Sequence, residues 1–107
     1  MDYSVTLKSD TDTIDNSVKQ LRPSVPLHLL DIEKLSIKAK EFKSLFRGTV
    51  MYAVKCNPTK EVIKTIAKSG IKTFDAASIE EVRMVRKLVP SAKIHFMHTV
   101  KSREAIR

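Results

Sequence analysis

The sequence predicts an α/β fold of parallel strands joined by right-handed helical crossovers, and three observations carry that expectation. Short apolar runs alternate with stretches of helical periodicity. Strand starts at residues 27, 49, 71 and 93 recur every 22 residues, and a cap or turn residue marks each switch. Part of a (β/α)8 TIM-type barrel and a small doubly wound open sheet both fit this alternation. A doubly wound protein of this size is usually complete in itself, whereas this chain stops inside an element, with its fourth strand uncovered. A whole barrel takes about 250 residues. The expectation is therefore a barrel of which only the first four or so βα units are present, in residues 26–107.

Residues 1–25 mix Ser, Thr, Asp and Lys with little apolar periodicity. They read as an irregular lead-in, with one short helical or extended piece around Ile14 to Leu21 and no site. Pro23 and Pro26 close it before any strand starts. Leu27-His28-Leu29-Leu30 is then the first strand, with Asp31 as a helix N-cap. Ile32, Leu35, Ala39, Phe42 and Phe46 recur at spacings of three and four, a helical stripe that Gly48 ends. The second strand covers 49–54. Pro58 suits the first turn of the next helix, whose stripe is Val62, Ile63, Ile66 and Ala67, and Gly70 ends it. A third strand runs over 71–76. Ser78-Ile79-Glu80-Glu81 has the form of a capping box, in which the Glu81 carboxylate bonds the Ser78 backbone N–H. Ile79, Val82, Val85 and Leu88 face inward until Pro90. A fourth strand over 93–98 leads into a helix start at 102–107.

Composition narrows the function classes. With 107 residues the chain is at most one domain, and 30% charged against 42% hydrophobic residues is ordinary for a globular protein. The formal net charge of +8 invites a nucleic-acid partner. The basic residues are spread along the helices, however, and Lys60, Lys64 and Lys68 form the solvated face of a helix whose other side is apolar. No nucleic-acid partner is expected. One cysteine, Cys56, allows no internal disulfide and fits a reducing cytoplasm. No run approaches the roughly 18 apolar residues of a membrane span, and the N-terminus lacks a secretory pattern. A soluble cytoplasmic protein is the default.

In either architecture ligands bind at the carboxyl ends of the strands. That rule selects Lys55 and Cys56 after the second strand, Asp75 after the third and His98 after the fourth. A lysine held among apolar groups gives up its proton more readily and can attack a carbonyl to form a Schiff base. A neighbouring aspartate could orient that amine or move a proton. Solvated or ion-paired lysine and aspartate are the alternative reading, and spacing alone does not decide. His28 and His95 fall within strand patterns and read as packing positions, as does Cys56. Spacing gives no metal site.

Three motifs decide it by resemblance. Tyr52-Ala53-Val54-Lys55-Cys56-Asn57 resembles the pyridoxal-phosphate lysine motif of the barrel-fold (fold type III) amino-acid decarboxylases. The stretch from Phe74-Asp75-Ala76-Ala77-Ser78 to Glu81 is similar to the next motif of their ornithine decarboxylase branch. His95-Phe96-Met97-His98-Thr99-Val100-Lys101-Ser102 is similar to the following strand-end motif of bacterial ornithine and lysine decarboxylases. Ala76 stands where Cys or Val is commoner, and Thr99 where Pro is usual.

The resemblance covers roughly residues 25–107. It implies pyridoxal 5'-phosphate as cofactor, with Lys55 holding the aldehyde and Asp75 close by. Ala53 would lie beneath the cofactor, His98 near it and Glu81 at the rim. The implied reaction is decarboxylation of a basic amino acid, ornithine giving putrescine, in polyamine biosynthesis. Homodimers are expected of the full-length family member. The phosphate cradle, the acid partner of the pyridine nitrogen and the substrate-measuring residues would lie beyond Arg107, so this chain alone is expected to be inactive. Diaminopimelate decarboxylase shares the lysine motif but has a Gly-rich Ser-Gly-Gly-Glu where this chain has Ala77-Ser78-Ile79-Glu80-Glu81. A truncated homologue acting as a binding or regulatory partner is the other alternative.

Overall fold

The computed structural model describes residues 4–7, 14–22, 24–26 and 28–106. The elements run β1 (Ser4–Leu7), α1 (Ile14–Leu21), β2 (His28–Asp31), α2 (Ile32–Leu45) and β3 (Met51–Ala53). A 3-10 turn (Val54–Cys56) follows, then α3 (Lys60–Lys68), β4 (Thr73–Ala76), α4 (Ile79–Leu88), β5 (Lys93–Phe96) and α5 (Arg103–Ile106). Leu27, Pro23 and Arg107, which the sequence reading used as boundaries, lie outside the described residues.

All pairings are parallel, as the alternation of strand and helix demands. The expected single sheet is, however, two: β1 pairs with β2, and β3-β4-β5 form a separate three-stranded sheet. The lead-in thus contains a strand, contrary to expectation, and β2 takes its ladder from β1 rather than from β3. Helix α1 forms where the short piece was expected.

The core lies between the three-stranded sheet and its helices. Phe74, Ile63, Val54 and Val85 are fully buried, each contributing about 1.5–3 kcal/mol of apolar transfer. Ala39, Val62, Ile66, Ala67, Ile71, Val89 and Ala92 complete it, with Tyr52 and Ile94 packed alongside. Side chains alternate across a strand, so Tyr52, Phe74 and Ile94, which are register partners, share the helix-facing side. Met51 and Ala53, Thr73 and Asp75, and Lys93 and His95 share the opposite side. Tyr52 and Phe74 meet edge to face at 6.3 Å.

Local chemistry explains the ends of the elements. The Asp31 side chain accepts the Lys34 N–H and caps α2 as expected. Helix α3 closes with Gly70 at φ 100: its N–H reaches the Ala67 carbonyl, and the Ile71 N–H reaches that of Ile66. This is the paired bonding of a glycine-closed helix. Lys43 Nζ donates to the Gly70 carbonyl at 2.9 Å, and a Cβ on Gly70 would meet that nitrogen at 2.6 Å.

Three local expectations need correcting. Helix α2 ends at Phe46, which turns extended, so Gly48 lies beyond the cap. Phe42 and Phe46 leave the inward stripe: both are exposed, stacked on each other at 5.8 Å. Pro58 precedes the helix rather than opening it, because Thr59 is the N-cap of α3. The Asn57 side chain instead accepts from the Thr59 backbone N–H and hydroxyl, turning the chain around the proline.

Candidate active site

The carboxyl ends of β3, β4 and β5 lie side by side, so the register decides which side chains meet there. Ala53 is the partner of Asp75, and Asp75 is the partner of His95. Because neighbouring strands sit about 4.8 Å apart and aligned residues point the same way, Ala53, Asp75 and His95 form one row on the face away from the helices. All three are half-buried.

Lys55 follows Ala53 by two residues, past the end of β3. It lies in the 3-10 turn Val54–Cys56, because β3 ends at Ala53, one residue short of the expected strand end at 54. Its side chain is exposed and makes no hydrogen bond or ion pair with any described residue. The apolar surroundings expected from sequence are absent; its neighbour Val54 is buried instead. Cys56, read as a packing residue, is exposed.

Two residues outside the sequence-read set hold this turn. Tyr52 Oη donates to the Asn57 carbonyl at 2.9 Å, spanning the three residues of the 3-10 turn. Burial pushes the Tyr52 phenol above its ordinary value of 10.0, and the nearby Cys56 thiol, when ionised, repels a second negative charge. The clue in the sequence was an aromatic residue five positions before an Asn-Pro turn. Tyr52 fits an ordinary strand position equally well, so the sequence alone does not single it out.

Glu81 is placed differently from the expected capping box. Ser78 Oγ accepts the Glu81 N–H at 3.2 Å, as predicted, but Glu81 Oε1 accepts from the Ala77 N–H at 2.9 Å rather than from Ser78. Its carboxylate therefore fixes the chain as it leaves β4, directly after Asp75 and Ala76. After β5, His98 turns back on itself: its Nδ1 lies 2.9 Å from the Val100 carbonyl oxygen and 3.1 Å from the Val100 N–H. His98 is exposed, and one ring nitrogen is spent on its own loop. Lys101 Nζ sits 5.3 Å over the Phe96 ring and closes that loop.

The histidines read as packing positions are not in the core. His28 is exposed, and His95 stands in the row beside Asp75. Among the described residues no group of three His, Cys, Asp or Glu stands close enough to hold a metal. No helix there is long and apolar enough to cross a membrane.

These residues fit a carbonyl cofactor held through a lysine. Lys55 offers an exposed primary amine with no described partner, and Asp75, in register with Ala53, adds a carboxylate whose side chain has none either. A phosphate cradle is a different matter. Gly70 closes α3 with the space beside it filled by Lys43, and Gly48 lies beyond the end of α2 with Phe46 against it.

Parallel strands covered on one face by helices, with a free lysine past a strand end, define an α/β protein of the class that binds ligands at strand ends. The family described as pyridoxal-dependent decarboxylase, pyridoxal binding domain, matches residues 31–107, so the chain belongs to that family and its cofactor is pyridoxal. All three motifs quoted from the sequence fall within that span.

The ornithine decarboxylase of Mus pahari is 30% identical over 109 aligned positions, covering 100% of this chain and 23% of the relative. Those of Rattus norvegicus, at 30%, and Mus musculus, at 29%, align with the same coverage. The chain thus spans 23% of the length of these curated relatives. No solved structure matches it.

Proposed function

We propose that residues 26–107 are the N-terminal part of a (β/α)8 barrel that binds pyridoxal 5'-phosphate. The complete protein would decarboxylate a basic amino acid, ornithine giving putrescine and CO2 for polyamine biosynthesis, as a cytoplasmic homodimer. The observation that carries the reading is the unpaired Lys55 amine just past the end of β3, beside a sheet face on which Asp75 stands in register with Ala53. The ornithine decarboxylase relatives support ornithine as the substrate. Ile79 and Glu80, where the diaminopimelate branch has glycines, weigh in the same direction.

Each side chain then has a defined task. Lys55 presents its amine to the cofactor's aldehyde from a turn that Tyr52 holds closed. The Asp75 carboxylate would stabilise positive charge on that amine and can take or return its proton. Ala53 keeps the face below clear. Glu81 fixes the loop after Asp75, so its contribution at the rim is to position the chain through the Ala77 N–H. His98 has its second ring nitrogen, Nε2, left for the cofactor side of the loop. When bound, pyridoxal phosphate supplies the electron sink for loss of CO2.

The 107-residue chain on its own is expected to release no CO2 from carboxyl-labelled ornithine in the presence of pyridoxal phosphate. Release that disappears in Lys55→Ala would overturn the claim of inactivity and uphold the chemistry. A second reading is a binding or regulatory partner of a full-length decarboxylase. It is favoured by the order β3-β4-β5, which among the described residues leaves each outer strand with one unpaired edge. Co-purification with such an enzyme, unchanged by Lys55→Ala, is its mark.

A further inference from the structure

We propose that His95 is a positioning residue of the site, pairing with Asp75 and setting its carboxylate on the sheet face beside Lys55. Within the proposed function, on which this rests, His95 acts through Asp75 rather than on the cofactor.

Three observations lead there. The ladder between β4 and β5 makes His95 the register partner of Asp75, so both side chains leave the same face of the sheet from strands about 4.8 Å apart. The helix-facing side of those strands is given to Phe74, Ala76 and Ile94, which excludes a packing role for His95 in the core. Neither the Asp75 nor the His95 side chain has a hydrogen bond or ion pair with any described residue, although both residues are half-buried. A carboxylate and an imidazole with no other partner, one strand apart on one face, need only side-chain rotation to bond each other. Their nearest companions on that face are Thr73 and Lys93, one row back, and Ala53 across β4. Lys93 is exposed at the start of its strand. His98, the imidazole expected from sequence, has Nδ1 committed to Val100 and lies outside the row.

A carboxylate held by an imidazole keeps one orientation, and one that is not samples several. The pairing therefore shows first in Asp75 itself and then in how well the site takes up its cofactor.

The test uses the chain as wild type, His95→Leu, His95→Gln, Asp75→Asn and the double variant Asp75→Asn with His95→Leu. Without cofactor, the carboxyl 13C resonance of Asp75 is expected to move in His95→Leu and to stay near its wild-type position in His95→Gln, which keeps a donor. Equilibrium dialysis with pyridoxal phosphate is expected to show binding about tenfold weaker in His95→Leu, as coupling between contacting groups allows. His95→Gln is expected to restore it, and the double variant to bind no worse than Asp75→Asn alone. An unmoved Asp75 resonance, or losses that simply add, would overturn the pairing. If His95→Leu does not fold, a nuclear Overhauser contact between the His95 ring and the Asp75 methylene in the wild type decides instead, and its absence overturns the proposal. A wild-type chain that takes up no pyridoxal phosphate would count against the proposed function, and the Asp75 resonance alone would then judge the pairing.

Discussion

The Tyr52 hydroxyl and the Asn57 carbonyl, 2.9 Å apart, tie the last strand-facing aromatic of β3 to the turn before α3, with Lys55 between them. One hydrogen bond thus holds the segment on which the proposed chemistry depends. Tyr52→Phe keeps the ring packed on Phe74 and removes only that bond, a loss of about 0.5–1.5 kcal/mol. Amide hydrogen exchange should quicken at Lys55 and Cys56 and leave α3 unchanged. Equal quickening throughout would mean that the bond serves global stability alone.

Alkaline pH should act through the same residue. Burial raises the Tyr52 phenol above 10.0 in the folded chain, so the folded state holds this proton more tightly than the unfolded one. That contribution is complete below pH 10 and is lost as pH climbs past it. Thermal unfolding should show wild type losing its advantage over Tyr52→Phe as pH rises above 10.0. A constant difference would place the phenol in an ordinary, solvated environment.

The start of α4 offers a second handle. Ser78→Ala removes the acceptor of the Glu81 N–H and should cost about 1 kcal/mol in chemical denaturation. Glu81→Leu removes the acceptor of the Ala77 N–H, so it should cost a similar amount and also loosen the exit from β4. The distinguishing measurement is exchange at the Ala77 amide. It should quicken more in Glu81→Leu than in Ser78→Ala, and the reverse order would restore the conventional capping box.

What the sequence revealed, and what it withheld, follows from the physics of each signal. Apolar spacing at 3.6 and 2 reports which face of an element is buried, so the order of β2 to α5 and the core residues Val62, Ile63, Ile66 and Ala67 were readable. Pairing is not a periodic property. Nothing in Ser4-Val5-Thr6-Leu7 says that it ladders with His28–Asp31, and the expected single sheet became two. Register is likewise invisible, which is why His95 looked like a packing residue until its partner proved to be Asp75. Phe42 and Phe46 have helical spacing, but both are exposed, and they stack on each other instead. Lys55 was found from its place after an apolar run. Its exposure is not legible there, because the chain leaves the strand one residue early and turns at Val54.

The central claim is that Lys55 is the amine that takes the cofactor, and reduction by borohydride after incubation with pyridoxal phosphate tests it most directly. Mass spectrometry of the digested chain should place one reduced phosphopyridoxyl group on Lys55, with a yield well above that on exposed lysines such as Lys60, Lys64 and Lys68. Labelling spread evenly over the exposed lysines, with no preference for Lys55, would contradict the account.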